Sequence, residues 1–197
     1  MMLIELTPVP QEALPVAGFK AHLRLGSGFA DDALEDAVLE TYLRAALAAI
    51  EARTGKVLIE REFAWTLGRW RDADRQPLPM APVSALIRLV RIDRVGTETE
   101  IDLAGVALAP DSQRPAIVAL GAALPTLSTG MQMRIEVLAG YGPDWGDLPA
   151  DLAQAVMLLA AHYYEYRHSP AVGGLPHSVA GLIERYRTVR LMMGGPA

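Results

Sequence analysis

The chain predicts an α+β protein that is mainly helical: a helical bundle with an inserted small antiparallel β region and a C-terminal helical arm. Three observations predict it. Two strongly helical segments, residues 32–53 and 149–168, bracket residues 57–140, which read as strands and turns. A third helical segment, 178–191, follows a Pro/Gly-rich hinge at 169–177. The second long helix holds seven consecutive apolar residues from Ala155 to Ala161, and a helix apolar on every face has to be covered on every face. In a chain of 197 residues the expected cover is a neighbouring subunit.

Taken in order, residues 1–14 read as extended and loosely held, because Pro8, Pro10 and Pro15 limit any helix. Pro15 suits a first helical position and opens a short helix over 16–23. Gly26-Ser27-Gly28 is a turn. Asp32 stands three residues before Glu35, a variant of the capping box. Leu34, Val38, Thr41, Ala45 and Ala49 form one helical stripe, and Leu39, Leu43, Leu47 and Ile50 form another, together a broad apolar face. Gly55 follows where a left-handed C-terminal cap belongs.

From Val57 the period changes. Phe63, Trp65 and Leu67 alternate with Glu62, Ala64 and Thr66, as a half-buried strand requires. Pro77, Pro79 and Pro82 form a rigid connection, residues 86–92 a second strand, and Val95-Gly96-Thr97 a turn back to 101–103. Residues 116–120 and 133–138 complete a small antiparallel sheet. Gly140-Tyr141-Gly142-Pro143 breaks the pattern, and Pro149 opens the next helix. The expected organisation is one domain over 1–172, with a helical core at 15–56 and 148–168 and a β-rich insertion at 57–140. An arm over 173–197 follows.

Composition narrows the function. A net charge of −5 argues against a protein that wraps DNA, although an acidic wall lets DNA pass without sticking. There is no cysteine, so disulfides, thiolate catalysis and cysteine metal sites are excluded. No apolar run approaches the ~20 residues that span a bilayer, and the N-terminus lacks a signal-peptide pattern, so a cytoplasmic origin without membrane contact is expected. Gly140-Tyr141-Gly142 is followed by no Gly-Lys-Ser/Thr, which leaves a turn rather than a phosphate loop. His162 and His168 lie six residues apart on different helical faces, and His22 and His177 are isolated, so no metal site and no cofactor is expected. Asp31, Asp32, Glu35 and Asp36 are explained by the dipole at a helix start. The tryptophans Trp65, Trp70 and Trp145 lack interleaved basic residues, which favours packing over base stacking. Arg185, Arg187 and Arg190 lie beside Val179, Leu182, Ile183, Tyr186 and Val189, an amphipathic basic element after a hinge. It reads equally as a solvated face or as a docking arm for an acidic partner.

At this point the residues carry a resemblance. Lys20-Ala21-His22-Leu23-Arg24, the acidic 31–36 opening and Ile50-Glu51-Ala52-Arg53-Thr54-Gly55-Lys56 resemble the first half of the tailed-phage head–tail connector (adaptor) family. Leu78-Pro79-Met80-Ala81-Pro82-Val83 resembles its proline-rich strand lead. Gly140-Tyr141-Gly142, Leu148-Pro149-Ala150-Asp151-Leu152 and Ala160-Ala161-His162-Tyr163-Tyr164-Glu165-Tyr166-Arg167 are similar to its C-terminal signature. The motifs run collinearly over roughly residues 14–190. The family includes adaptors of prophages and of bacterial gene transfer agents, and the residues do not choose between them.

The resemblance implies a virion structural protein with no catalytic residues, assembled in the bacterial cytoplasm. Such adaptors form a ring, usually of twelve copies, beneath the portal protein, extend the DNA channel and receive a downstream tail or stopper protein. DNA passes through the lumen without specific binding. Val179, Leu182, Ile183, Arg185, Tyr186, Arg187, Val189 and Arg190 then become the expected contact with the portal or a neighbouring subunit. Two rivals stand beside this reading. One is a nucleic-acid-binding regulator that uses the 185–190 helix; the other is a small enzyme whose site assembles from His22, Asp151 and His162.

Overall fold

The computed structural model describes residues 2–25, 32–167 and 174–187. Its helices are α1 (Val16–His22), α2 (Asp32–Thr54), α3 (Ala150–Glu165) and α4 (His177–Ile183). Its strands are β1 (Met2–Glu5), β2 (Arg61–Leu67), β3 (Arg75–Pro77), β4 (Val83–Ile92), β5 (Glu98–Ile101), β6 (Val106–Ala109), β7 (Ala116–Ala119) and β8 (Gln132–Ala139). All pairings between these strands are antiparallel. Five strands form one sheet in the order β1-β2-β8-β4-β5, and three form a second in the order β3-β7-β6.

This overturns the expectation of a mainly helical bundle: the chain is 36% helical and 28% strand, an α+β fold with two antiparallel sheets. The strands that the alternation does not reveal are β1, β3 and β6. Each has three or four residues, shorter than the window in which a period of two is recognisable, and β3 ends in a proline. The sheets are also no mere appendage. They enclose a core of their own, in which Phe63, Trp65 and Leu67 of β2 and Met133, Ile135 and Val137 of β8 meet Val106 and Ile117 of the small sheet.

The helices form the other core. Leu39, Leu43, Leu47 and Ile50 of α2 pack on Leu152, Ala155, Val156, Leu159 and Ala160 of α3, with Phe19 of α1 and Val179 and Ile183 of α4 closing the cluster. The apolar α3 is thus covered largely from within its own chain, not by a neighbour as the composition suggested. Of the two apolar stripes on α2, the Leu39/Ile50 stripe is buried, while Val38, Thr41 and Ala45 of the other remain exposed. Gly55 ends α2 at φ 68°, donating its N–H to Glu51 O at 2.8 Å, a left-handed cap in the expected place.

A narrow joint connects the two cores. The chain leaves α2 through residues 56–60 and returns to α3 through 139–142, and the two passages bond to each other. Glu60 N donates to Gly142 O at 2.8 Å, and Tyr141 N to Leu58 O at 3.1 Å. Across the joint, Glu51 of α2 accepts both Nη groups of Arg61 at 3.0 and 2.7 Å and the Leu58 amide at 2.7 Å. Arg61 Nε also lies 3.0 Å from Glu5 of β1. Burial opposes the charge on Arg61, but the two carboxylates outweigh it and hold the guanidinium above its ordinary pKa. Lys56, 1% exposed, donates to Ser112 O and Gln113 Oε1, both at 2.7 Å, and so ties the β6–β7 loop to the same place.

Gly140 shows how tight the joint is. Its φ is +143°, and a Cβ there would lie 2.3 Å from Glu60 Cα. Gly140→Ala should therefore cost more than about 2 kcal/mol of unfolding free energy, since backbone strain and a backbone clash add. At Gly146 an added Cβ meets nothing within 4 Å, and the alanine variant should stay close to the parent in urea melts. Glu51→Ala, which removes the bidentate partner of a buried guanidinium, should cost about 3 kcal/mol by the same measurement.

Candidate docking site at the C-terminal segment

The residues assigned to docking lie on α4 and the single 3-10 turn Glu184–Tyr186 that continues it. Pro176 precedes α4 with φ −52° and ψ 142°, an extended residue that starts the helix without a side-chain cap. The helical stretch is shorter than the 178–191 expected, and Arg187 is already extended. Val189 and Arg190 lie outside the described residues, as do His168 and most of the hinge.

The structure divides the candidates by side. Val179, Ile183 and Tyr186 are buried against α3 within the helical core. Leu182 is half-buried, and Arg185 and Arg187 are exposed. The apolar side of this short helix therefore has its partner inside the chain, which supplies the stability that seven residues lack alone.

A polar cluster holds the segment in place. Tyr186 Oη donates to Asp151 Oδ1 at 2.7 Å, and Arg185 Nε lies 2.8 Å from Asp151 Oδ2. Arg185 also donates to the Tyr186 hydroxyl and lies over its ring, 4.7 Å from the centroid. Asp151 occupies the first turn of α3, where the helix dipole favours a carboxylate. Burial, then the bond to Asp151, raises the pKa of Tyr186. Burial first, then the nearby Tyr186 and Asp151, pushes Tyr141 up to about 12. Asp151 and Tyr186 are too far apart in sequence for any motif to link them; only a buried tyrosine's need for a polar partner pointed that way.

The residues proposed for an enzyme are not brought together. Asp151 and His162 lie eleven residues apart on α3, roughly 16 Å along its axis. His162 stacks on Tyr166 at 4.7 Å, and His22 is an exposed residue ending α1. Among the described residues no group of three or more His, Cys, Asp or Glu is placed to hold a metal. None of their helices is long and apolar enough to cross a membrane. The arrangement at Asp151 can position a segment, since its two carboxylate oxygens are taken up by the Tyr186 hydroxyl and Arg185.

Comparison with solved structures identifies the class as a structural component of a particle. No family model matches the chain, and no curated protein does. A chain in the neck of an empty gene transfer agent particle, computed with C6 symmetry, is 56% identical over 100% of both chains, with a TM-score of 0.89. A chain in the virion of a native gene transfer agent particle is 55% identical, again over 100% of both, with a TM-score of 0.86. A third, in the neck of a native particle computed with C12 symmetry, is 51% identical over the same full lengths, with a TM-score of 0.85. The chain belongs to the family of gene transfer agent neck proteins, and like them it is a structural protein, not an enzyme.

The tyrosine cluster gives a pH signature. Folding raises the pKa of Tyr141, so its contribution to stability is complete below pH 10 and is lost as pH rises from 10 toward about 12. Urea unfolding followed from pH 9 to pH 12 should show this decline, and Tyr141→Phe should flatten it.

Proposed function

We propose that this chain is the head–tail adaptor of a gene transfer agent particle. It forms a ring beneath the portal, extends the DNA channel and receives the downstream tail or stopper protein. The observation that carries this reading is full-length identity of 51–56% to chains in particle necks. Those necks were computed with sixfold and with twelvefold symmetry, and twelve copies satisfy both.

The electrostatics agree with a channel component. The net charge of −5 repels phosphate, so DNA slides past and is not gripped. The regulator reading loses its basic helix, because Arg185 is paired with Asp151 and Arg187 with Glu184 at 2.9 Å.

In this reading the C-terminal segment is bifunctional. Val179, Ile183 and Tyr186 seat it on α3, while Leu182, Arg185 and Arg187 face the portal or a neighbouring copy, and the chain beyond Arg187 continues the contact. Residues 173–197 then act as a docking element whose first half belongs energetically to the helical core. Assembly takes place in the bacterial cytoplasm.

Particles made without this protein should be DNA-filled heads that carry no tails, counted by negative-stain microscopy. Normally tailed particles in its absence would refute the adaptor role. The variant Arg187→Glu changes only an exposed side chain, so it should melt near the parent yet give the same tailless heads. Duplex DNA should bind the isolated protein only weakly at physiological salt. A tight, salt-sensitive gel shift would restore the regulator.

A further inference from the structure

We infer that the uncharged outer face of α2 and the apolar flank beside it, Met2, Ile4 and Leu6, are the surface on which a second copy of this chain packs in the ring. The inference rests on the ring reading above and names the side of the subunit that builds it.

The first observation is an absence of charge where charge is expected. The exposed residues of α2 between Ala37 and Ala52 are Ala37, Val38, Thr41, Ala45, Ala48 and Ala52. At 100° per residue they fall within an arc of roughly 100°, and the outward face of a solvated helix is normally charged. Thr41 returns its hydroxyl to Ala37 O at 3.0 Å, so this face asks for no polar partner.

The second observation is independent and concerns large side chains. Among the described residues nine large apolar side chains are exposed, and five of them are Met2, Leu3, Ile4, Leu6 and Val38. Met2, Ile4 and Leu6 are 57%, 44% and 46% exposed. Met2 and Ile4 lie on β1, with Leu6 just beyond it, and β1 is an edge of the five-stranded sheet, one side of which has no strand partner among the described residues.

The two features adjoin. Arg61 joins Glu5 to Glu51, and Arg44 donates to Val9 O at 2.8 Å, so residues 5–9 run alongside the second half of α2. Arg44 and Glu51 border the exposed arc on that side. The other border is Tyr42, which meets Tyr164 of α3 edge-on at 5.9 Å. The result is two neighbouring apolar patches, the α2 arc about 22 Å long from Ala37 to Ala52 and the Met2, Ile4 and Leu6 flank, on either side of the ion-paired Arg44 and Glu51.

The occupant follows from symmetry. The full-length relatives sit in necks computed with C6 and C12 symmetry. In a cyclic ring each subunit meets its neighbour through two unlike surfaces, so every copy must present a patch that another copy covers. Small residues over a long helix permit the close backbone approach of a neighbouring element, and the flanking Met2, Ile4 and Leu6 supply the apolar area.

Two full-length variants test this in particles purified from cells that carry no other copy. In Ala48→Arg the new charge lies on an exposed position of the single chain, so the purified protein should melt within about 2 °C of the parent. Its copy number per particle, by quantitative mass spectrometry, should fall at least about tenfold, because the charge would be buried unpaired between subunits. Ala48→Ser should enter particles at the parental level. A photoreactive benzoylphenylalanine in place of Leu6 should, on illumination of assembled particles, yield a crosslinked dimer of this chain. Crosslinks only to a different particle protein, or none, would overturn the inference. So would Ala48→Arg at parental copy number in a ring that the wild type also forms; the ring would then stand and this interface fall. If the wild-type chain is itself present in too few copies for a ring, the ring reading fails and takes the interface with it.

Discussion

The bond between Glu51 and Arg61 is the constraint on which the rest of the architecture depends. One carboxylate at the end of α2 accepts both Nη groups of one guanidinium and a backbone amide, and the same guanidinium reaches the first strand. A charge this buried is tolerated only when it is paired, so helix end, first strand and second strand cannot drift independently. Beside it, Gly140 lets two backbones approach so closely that no side chain fits between them. The two cores share almost no apolar contact of their own; this joint sets how the helical layer and the sheets stand to each other.

The second organising feature is the seat at Asp151. A carboxylate at a helix start is held by the dipole whether or not it has a partner, so the seat exists before the C-terminal segment arrives. The segment then supplies a tyrosine hydroxyl and a guanidinium to the two oxygens, while Val179 and Ile183 fill the space left between the helices. Apolar burial provides the energy and the polar cluster selects one register. A segment anchored in this way is held at a defined point on the subunit surface.

Together these features describe a subunit whose outward surfaces are specialised. The sheet face carries charge in balanced pairs: Glu98 and Glu136 are met by Arg134, and Glu136 again by Arg88. The C-terminal turn carries paired arginines, whereas the exposed residues of α2 between Ala37 and Ala52 carry no charge. With a net charge of −5, nothing in this distribution invites phosphate to stay.

How much of this was legible in the sequence can be argued element by element. The long helices were, because their apolar repeats extend over many turns and because Gly55 and Pro149 mark ends that backbone geometry alone enforces. So were β2, β4 and β8, whose alternation is long enough to register, and so was the family, through motifs spread along the whole chain. The balance of helix and strand was not, because β1, β3 and β6 are too short to carry a period and exist only by pairing with distant strands. The candidate site was half legible. Which residues of the C-terminal segment are apolar and which basic can be read directly, but which side meets α3 depends on Asp151, thirty-five residues from Tyr186. The sequence by itself determined local periodicity, caps and breakers, since these depend on neighbours within a few residues. Only the tertiary structure decided the second sheet, the Glu51–Arg61 joint and the inward turn of Val179 and Ile183. Those outcomes depend on which remote surface each segment finds to exclude water and satisfy its polar groups.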